Sequence, residues 1–356
     1  MVGTVHVVLP DGVDDPERPS GGNIYDGRIC AGLRVIGWSV VLHVVPGPWR
    51  VPDAAARAAL TETVAAIPDG ELVLLDGLIA LTVPDVVVPQ GLRLRVVVLV
   101  HMPIGLDDPL GVSSPVATGE RAVLSAATAV VTTSAWTRDL LLDRYRLPPE
   151  RLHVAEPGVD PAGLATGSAA GGELLCVAAV APHKGHDVLF AALTMIADLS
   201  WRCVCVGTLD RDPGFVHTLC RQARVAGIDD RVSLVGTRTG TDLEVTYAAA
   251  DLLVVASRAE TYGMVVTEAL ARGIPVVATD VGGLPAALGR GSDGRRPGLL
   301  VPPGDGATLA AALRRWLGES VLRQQLRLSA GERRATLSDW SVTSDRISRV
   351  LAGAAA

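Results

Sequence analysis

The chain is nearly devoid of lysine: of 32 basic residues among 356, Lys184 is the sole lysine and the others are arginine. Basic residues do not exceed acidic ones either, and a net charge of −6 excludes a nucleic-acid scaffold or a basic membrane-surface protein. Aromatic residues make up only 3%, so the cores must be built from Val, Leu and Ala. Five cysteines (Cys30, Cys176, Cys203, Cys205, Cys220) form no zinc-type spacing and read as reduced, mostly core thiols of a cytoplasmic protein. No apolar run approaches a membrane span. The best candidate, Val96–Val100, is short and follows Arg93 and Arg95, so the positive mean hydropathy reflects buried strands and stable membrane insertion is not expected. The N-terminus lacks the pattern of a signal peptide. The glycine pair after the first strand, Gly21-Gly22, is not a G-x-G-x-x-G fingerprint, which argues against a dinucleotide oxidoreductase.

What is present is α/β alternation, carried twice. In the first half, Val5–Leu9, Ser39–Val45, Leu72–Leu75, Leu94–Val100, Ala129–Thr132 and Leu152–Ala155 are short, Val- and Leu-rich runs separated by helical patterns. Such runs are the signature of strands buried on both faces of a parallel sheet. A small-residue stretch, Pro161–Gly172, breaks the pattern and reads as a linker. Alternation then restarts with strands at Leu174–Val180, Arg202–Val206, Val232–Val235, Leu252–Ala256 and Pro275–Ala278. The expected architecture is two doubly wound Rossmann-like α/β domains, 1–165 and 172–338, facing each other across a cleft, with a last helix in 339–356. Ligands of such sheets sit beyond the carboxyl ends of the strands.

Four segments occupy those positions. Ser20-Gly21-Gly22-Asn23 follows the first strand, where paired glycines let backbone approach a ligand. His101 follows Val96–Val100. Ala181-Pro-His-Lys184-Gly-His186 precedes a helix, and an ammonium at a helix N-terminus is unfavourable unless an anion lies between them. His183 and His186, three apart without a third ligand, read as loop residues; no metal set is expected. Glu260-Thr-Tyr-Gly-Met-Val-Val-Thr-Glu268 follows the strand Leu252–Ala256. A helix starting near Gly263 would offer the N–H groups of Gly263, Met264 and Val265 to an anion, and carboxylates beside an anion site suit a ligand that also carries hydroxyls.

Together these residues resemble glycosyltransferase family 4, retaining nucleotide-sugar enzymes with the GT-B fold. The matching blocks are Gly21-Gly22; Thr133-Ser134 through Asp160; Pro182–Asp187; the pair Glu260 and Glu268 with its continuation through Pro275 to Gly282-Gly283-Leu-Pro285; and Gly298–Asp305. The resemblance implies that Lys184 binds the donor diphosphate, Glu268 the ribose and Glu260 the sugar hydroxyls. It implies that His101 lies against the transferred sugar, that Gly21 and Gly22 approach the donor from the first domain, and that the last helix returns to that domain. The family's arginine five residues before the lysine is Ala179 here, so either Arg258 substitutes for it or the donor is held more weakly. The position after Gly-Gly-x-Pro, often glutamate in the family, is Ala286.

The expected activity is metal-independent, retaining transfer of a hexosyl-type group from a nucleoside diphosphate sugar, UDP by family frequency, to a hydroxyl of a small-molecule acceptor. The nucleotide sugar is a co-substrate, and no cofactor or nucleic-acid partner is expected. Two alternatives stay open: a nucleotide-sugar epimerase on the same fold, and a non-catalytic nucleotide-sugar-binding protein. Candidate acceptor loops at Asp11–Ser20, Asp76-Gly77 and Met102–Ser114 carry Asp11, Asp14, Asp15, Asp107 and Asp108 with few cations, favouring a polar, neutral or cationic small molecule over a phosphorylated lipid.

Overall fold

The computed structural model describes residues 2–13, 15, 19–106 and 114–355. Asp14, Asp107 and Asp108, expected in acceptor loops, lie outside these. The chain divides into two compact units. One contains the N-terminal strand, Pro19–Gly158 and everything from Ser338; the other contains Val159–Leu337.

The first unit holds six parallel strands: β1 (Thr4–Pro10), β2 (Ser39–Val45), β3 (Leu72–Asp76), β4 (Arg95–Val100), β5 (Ala129–Thr132) and β6 (Leu152–Val154). Their order in the sheet is β2-β1-β3-β4-β5-β6. Val96 to Val100 of β4 are all buried, as a central strand covered on both faces requires. The helix Gly21–Ile36 begins at the glycine pair itself, because the Ser20 hydroxyl accepts from the Asn23 N–H and caps it. Gly21 and Gly22 are therefore its first two residues rather than a free turn. The last helix, Trp340–Ala355, packs on Gly21–Ile36. It buries Ile347 and Leu351 completely, contributing roughly 1.5–3 kcal/mol each. Gly32 permits this approach: a Cβ there would stand 1.9 Å from Ser344 Oγ. Tyr25 anchors the helix start by donating to the Ala155 carbonyl at 2.8 Å, with Trp340 against its ring edge.

The second unit holds β7 (Glu173–Val177), β8 (Arg202–Val206), β9 (Val232–Leu234), β10 (Leu252–Val255), β11 (Val276–Thr279) and β12 (Gly298–Val301), in the order β12-β11-β10-β7-β8-β9. β12 is absent from the strand pattern read in the sequence, since it is only four residues long and two of them are half-buried. Gly298 lets it pair with β11: a Cβ would fall 1.9 Å from the Val276 carbonyl oxygen. The stretch Pro161–Gly172, expected as a linker, is held along this unit. Thr166 and Gly167 donate to the Ala248 carbonyl, and Ser168 bonds to buried Asp251. Small residues serve here for close backbone approach, not for freedom.

Candidate functional site

Reversal of strand order decides where side chains gather. In the second sheet the order turns back between β7 and β10, so the loops leaving these neighbours are adjacent, the position where doubly wound sheets bind ligands. The loop after β7 carries Lys184 and the loop after β10 carries Arg258 and Glu260. Lys184 Nζ donates to Glu260 Oε2 at 2.5 Å, and both side chains are largely buried. Glycine conformation makes this meeting possible. Gly185, at φ +71, lies so close to β10 that a Cβ would be 2.0 Å from the Ala256 carbonyl oxygen. Gly282, at φ +59, does the same against the carbonyl of Glu260, and the next amide, Gly283 N–H, donates to that oxygen at 3.0 Å.

The helix Met264–Ala271 begins after Gly263, which adopts φ +94 and has no side-chain cap. Its first N–H groups, at Met264 and Val265, lack intrahelical acceptors by construction and favour an anion. Glu268, one turn further on, accepts from the Tyr247 hydroxyl at 2.8 Å. Burial pushes its carboxyl up from the ordinary range, against the pull of the Tyr247 hydrogen bond and the Arg272 charge. Arg272 covers the Tyr247 ring at 4.4 Å and pairs with Glu244, fixing the tyrosine from behind.

Arg258, offered by the sequence as a substitute for the arginine missing at Ala179, has another engagement. Its guanidinium grips Asp187 with two bonds of 2.7 and 2.8 Å and donates to the Pro182 carbonyl at 2.6 Å. It thus ties the lysine loop to the loop after β10. His186, expected as a loop residue, is fully buried in the first helical turn against Cys176, at 3.8 Å. The reason is packing: the loop turns inward at Gly185, and His186 joins Cys176 and Cys205 beneath it. Those two thiols are pushed up, Cys176 chiefly by its bond to Cys205 and by burial, Cys205 by Cys203 and burial outweighing Cys176.

The first sheet reverses between β1 and β3, and a second group of side chains collects there. His101, just past β4, meets Asp26 from the helix after β1 and Asp76 from the end of β3. His101 Nε2 lies 2.9 Å from Asp26 Oδ1 and 3.7 Å from Asp76 Oδ2. Gly22 faces the ring: a Cβ there would stand 3.4 Å from His101 Cδ2. Asp76, expected to offer itself to an acceptor, is instead buried, and it bonds the Leu78 N–H as well. Gly21 is exposed at the helix start, and Asp11 is exposed as well.

The structure thus brings Lys184, Glu260, Arg258, Gly263 and Glu268 to one end of the second sheet, and Gly22 and His101 to one end of the first. Sequence reasoning missed Asp26, Tyr247, Asp187 and Arg272 as partners of these residues. Asp26 carried a signal: a carboxylate four residues after a glycine pair, on the helical face otherwise bearing Ile29, Cys30 and Leu33, is a charge on a core stripe.

Residues 4–162 match the family model described as Glycosyltransferase Family 4, and residues 171–319 match Glycosyl transferases group 1. The chain belongs to glycosyltransferase family 4. Its relatives include D-inositol 3-phosphate glycosyltransferase 1 of Catenulispora acidiphila, 34% identical over 64% of this chain and 58% of the relative. The enzyme of that name, D-inositol 3-phosphate glycosyltransferase, from Salinispora tropica is 33% identical over 63% of this chain and 51% of the relative. The chain therefore spans little more than half the length of these curated relatives. Among solved structures, sucrose-phosphate synthase from Thermosynechococcus elongatus superposes with a TM-score of 0.76 at 23% identity, covering 97% of each chain. Anabaena HepE in complex with UDP-glucose gives 0.77 at 18% identity, covering 98% of this chain and 99% of that one. At these identities the likeness establishes the fold, GT-B. No helix among the described residues is long and apolar enough to cross a membrane.

Proposed function

We propose that this family 4 glycosyltransferase is a cytoplasmic, metal-independent, retaining enzyme. It moves a hexosyl group from a nucleoside diphosphate sugar, UDP-linked, to a hydroxyl of a small polar acceptor. The observation that carries this reading is the 2.5 Å contact between Lys184 and Glu260 beside the uncapped start of the helix bearing Glu268. An ammonium and free N–H groups suit a diphosphate, while two carboxylates suit sugar and ribose hydroxyls. HepE, solved with UDP-glucose, and the inositol phosphate glycosyltransferases support the donor and reaction class.

As the anomeric bond breaks, charge grows on the diphosphate. Lys184 and the Met264 and Val265 N–H groups stabilise that charge where it develops. Glu260 orients Lys184 through their 2.5 Å contact, and its remaining oxygen accepts from a sugar hydroxyl. Glu268, held by Tyr247, takes the ribose. His101 and the glycine pair act on the transferred sugar. The leaving phosphate oxygen removes the acceptor proton on the same face, so the configuration is retained without a separate base.

The test is a thermal-shift screen of nucleotide sugars followed by transfer assays with polyol and sugar acceptors. UDP-sugar at about 100 times its Kd should stabilise by roughly 2.7 kcal/mol. NMR of the product anomeric proton should show retention, and EDTA should leave the rate unchanged. No shift with any nucleotide sugar, an inverted product, or full loss in EDTA restored by Mn²⁺ would each overturn its part of the reading.

A further inference from the structure

Three side chains from three different elements meet at the end of the first sheet, and their charges do not balance as ordinarily drawn. Asp26 and Asp76 are 2% and 3% exposed, and both face the same imidazole. Two carboxylates and one cation would leave an uncompensated buried charge, which is costly. Hydrogen bonding tells the same story. Asp26 Oδ1 is bonded to His101 Nε2, but Asp26 Oδ2 is buried without a donor among the described residues. Its neighbour Asp76 can supply one only by carrying a proton.

We propose that Asp26 and Asp76 share one proton and together hold His101 as an imidazolium, whose Nδ1–H is thereby fixed as a donor toward a substrate oxygen. Both carboxylates reach Nε2, so Nδ1 is the ring nitrogen left for a ligand. The ring edge of Tyr25 and the close face of Gly22 fix the plane of the ring. A neutral histidine bonded to Asp26 through Nε2–H would present Nδ1 as an acceptor. The acid pair reverses that polarity, and Asp26 and Asp76 are positioning residues in this role.

The groups facing the cluster agree on direction. Asp76 is pushed up to about 8, by burial first and then by the Asp26 charge and hydrogen bond. For His101, burial works against the cation, but the charge and hydrogen bond of Asp26 and the charge of Asp76 prevail and push it up to about 9. Tyr25, the other titratable group against the ring, is pushed further above its ordinary range by burial and by Asp26, so it stays neutral. The inference rests on His101 serving the transfer reaction, but its central claim, a cationic His101, is measurable without turnover.

The experiment is a ¹⁵N imidazole NMR titration of the full chain, with His101 assigned by its loss in His101→Gln. In the wild type His101 should remain doubly protonated through pH 8 and titrate near 9. In Asp76→Asn it should stay raised, because Asp26 keeps its 2.9 Å contact. In Asp26→Asn/Asp76→Asn it should fall below the ordinary 6.5, since burial remains and the charges are gone. Transfer by that double variant at pH 8 should then drop about thirtyfold or more and recover as pH is lowered, while the wild-type rate stays flat to pH 8. Circular dichroism controls for folding; should the double variant not fold, the wild-type and Asp76→Asn titrations still decide the claim. A wild-type midpoint at or below 6.5, a midpoint unmoved in the double variant, or a stoichiometric metal in the purified wild type that Asp26→Asn/Asp76→Asn abolishes would each overturn it. A raised midpoint with no transferase activity under any condition would instead refute the proposed function and leave the charge assignment standing.

Discussion

The two sheet ends solve opposite electrostatic problems. At the end of the second sheet each cation has its own acid, Lys184 with Glu260, Arg258 with Asp187 and Arg272 with Glu244, while Glu268 is held by the Tyr247 hydroxyl. At the end of the first, two acids confront one histidine and only a retained proton balances them. The Lys184–Glu260 pair keeps 20% and 14% of its side-chain surface exposed, so an arriving anion can compete for Lys184 without leaving a bare charge in the core. In the acid-rich region both carboxyls are buried and held from three different elements. One region is built to exchange partners, the other to keep them.

The sharpest way to break this comparison is Lys184→Ala. If Lys184 faces the growing charge of the diphosphate, kcat/KM should fall about a hundred- to thousandfold, the range typical of a preorganised donor. Lys184→Arg should rescue only in part, because a planar fork cannot replace a compact ammonium seated 2.5 Å from one carboxylate oxygen. Near-wild-type turnover in the alanine variant would mean that the chain's single lysine is an accident of composition.

Next in size are the two glutamates. Glu260→Ala should lower mainly kcat, since contacts to the transferring sugar strengthen as charge develops, whereas Glu268→Ala should raise mainly the donor KM. The direct contact adds a constraint that the sequence did not suggest. Lys184 and Glu260 must be non-additive, and a double-mutant cycle should return a coupling of about 0.5–3 kcal/mol. Independent effects would mean that the ion pair dissolves once the donor is bound.

What could be read in advance followed sequence distance. Lys184, Glu260, Gly263 and Glu268 lie in two short blocks whose spacing encodes loop, cap and first helical turn, so their chemistry shows locally. The strands show too, because two-sided burial writes runs of Val and Leu. Asp26, Asp76 and His101 are separated by 50 and 25 residues, and only strand order brings them together. Asp76 on its own looks like a polar strand end awaiting a substrate; nothing local says that its side chain turns into the protein. The engagement of Arg258 was hidden for the same reason. Its proximity to Glu260 in sequence was visible, while its grip on Asp187, 71 positions away, was not.

The acid-rich region makes a smaller, pH-dependent prediction. Asp76, ordinarily near 3.8, is raised to about 8, and His101, ordinarily near 6.5, to about 9. Both bind their proton more tightly folded than unfolded. Their stabilisation is therefore fully present below the ordinary values and is lost as pH rises through about 8 and 9. Their contribution to the wild-type Tm should decline as pH rises toward about 9 and level off above it, and Asp26→Asn/Asp76→Asn should decline less. Each kcal/mol of that difference corresponds to about 2–4 °C for units of this size. Parallel curves would place the proton elsewhere.

The smallest expected effect separates two roles for Arg258. Its pair with Asp187 is two-fifths exposed on both sides, and pairs of that kind contribute about 0.2–1 kcal/mol. If the arginine only steadies the lysine loop, through Asp187 and the Pro182 carbonyl, Arg258→Ala should raise the donor KM about two- to fivefold and leave kcat nearly unchanged. Asp187→Asn should then reproduce most of that change, because it cuts the same tie from the other end. If Arg258 instead replaces the cation missing at Ala179, Arg258→Ala should approach the loss seen for Lys184→Ala, while Asp187→Asn should release the guanidinium and improve donor binding. Ala179→Arg supplies the complementary test. With Arg258 occupied by Asp187, a new guanidinium at position 179 should lower the donor KM, and it should do so equally in the Arg258→Ala background. A gain confined to that background would show that the two arginines compete for one place on the diphosphate.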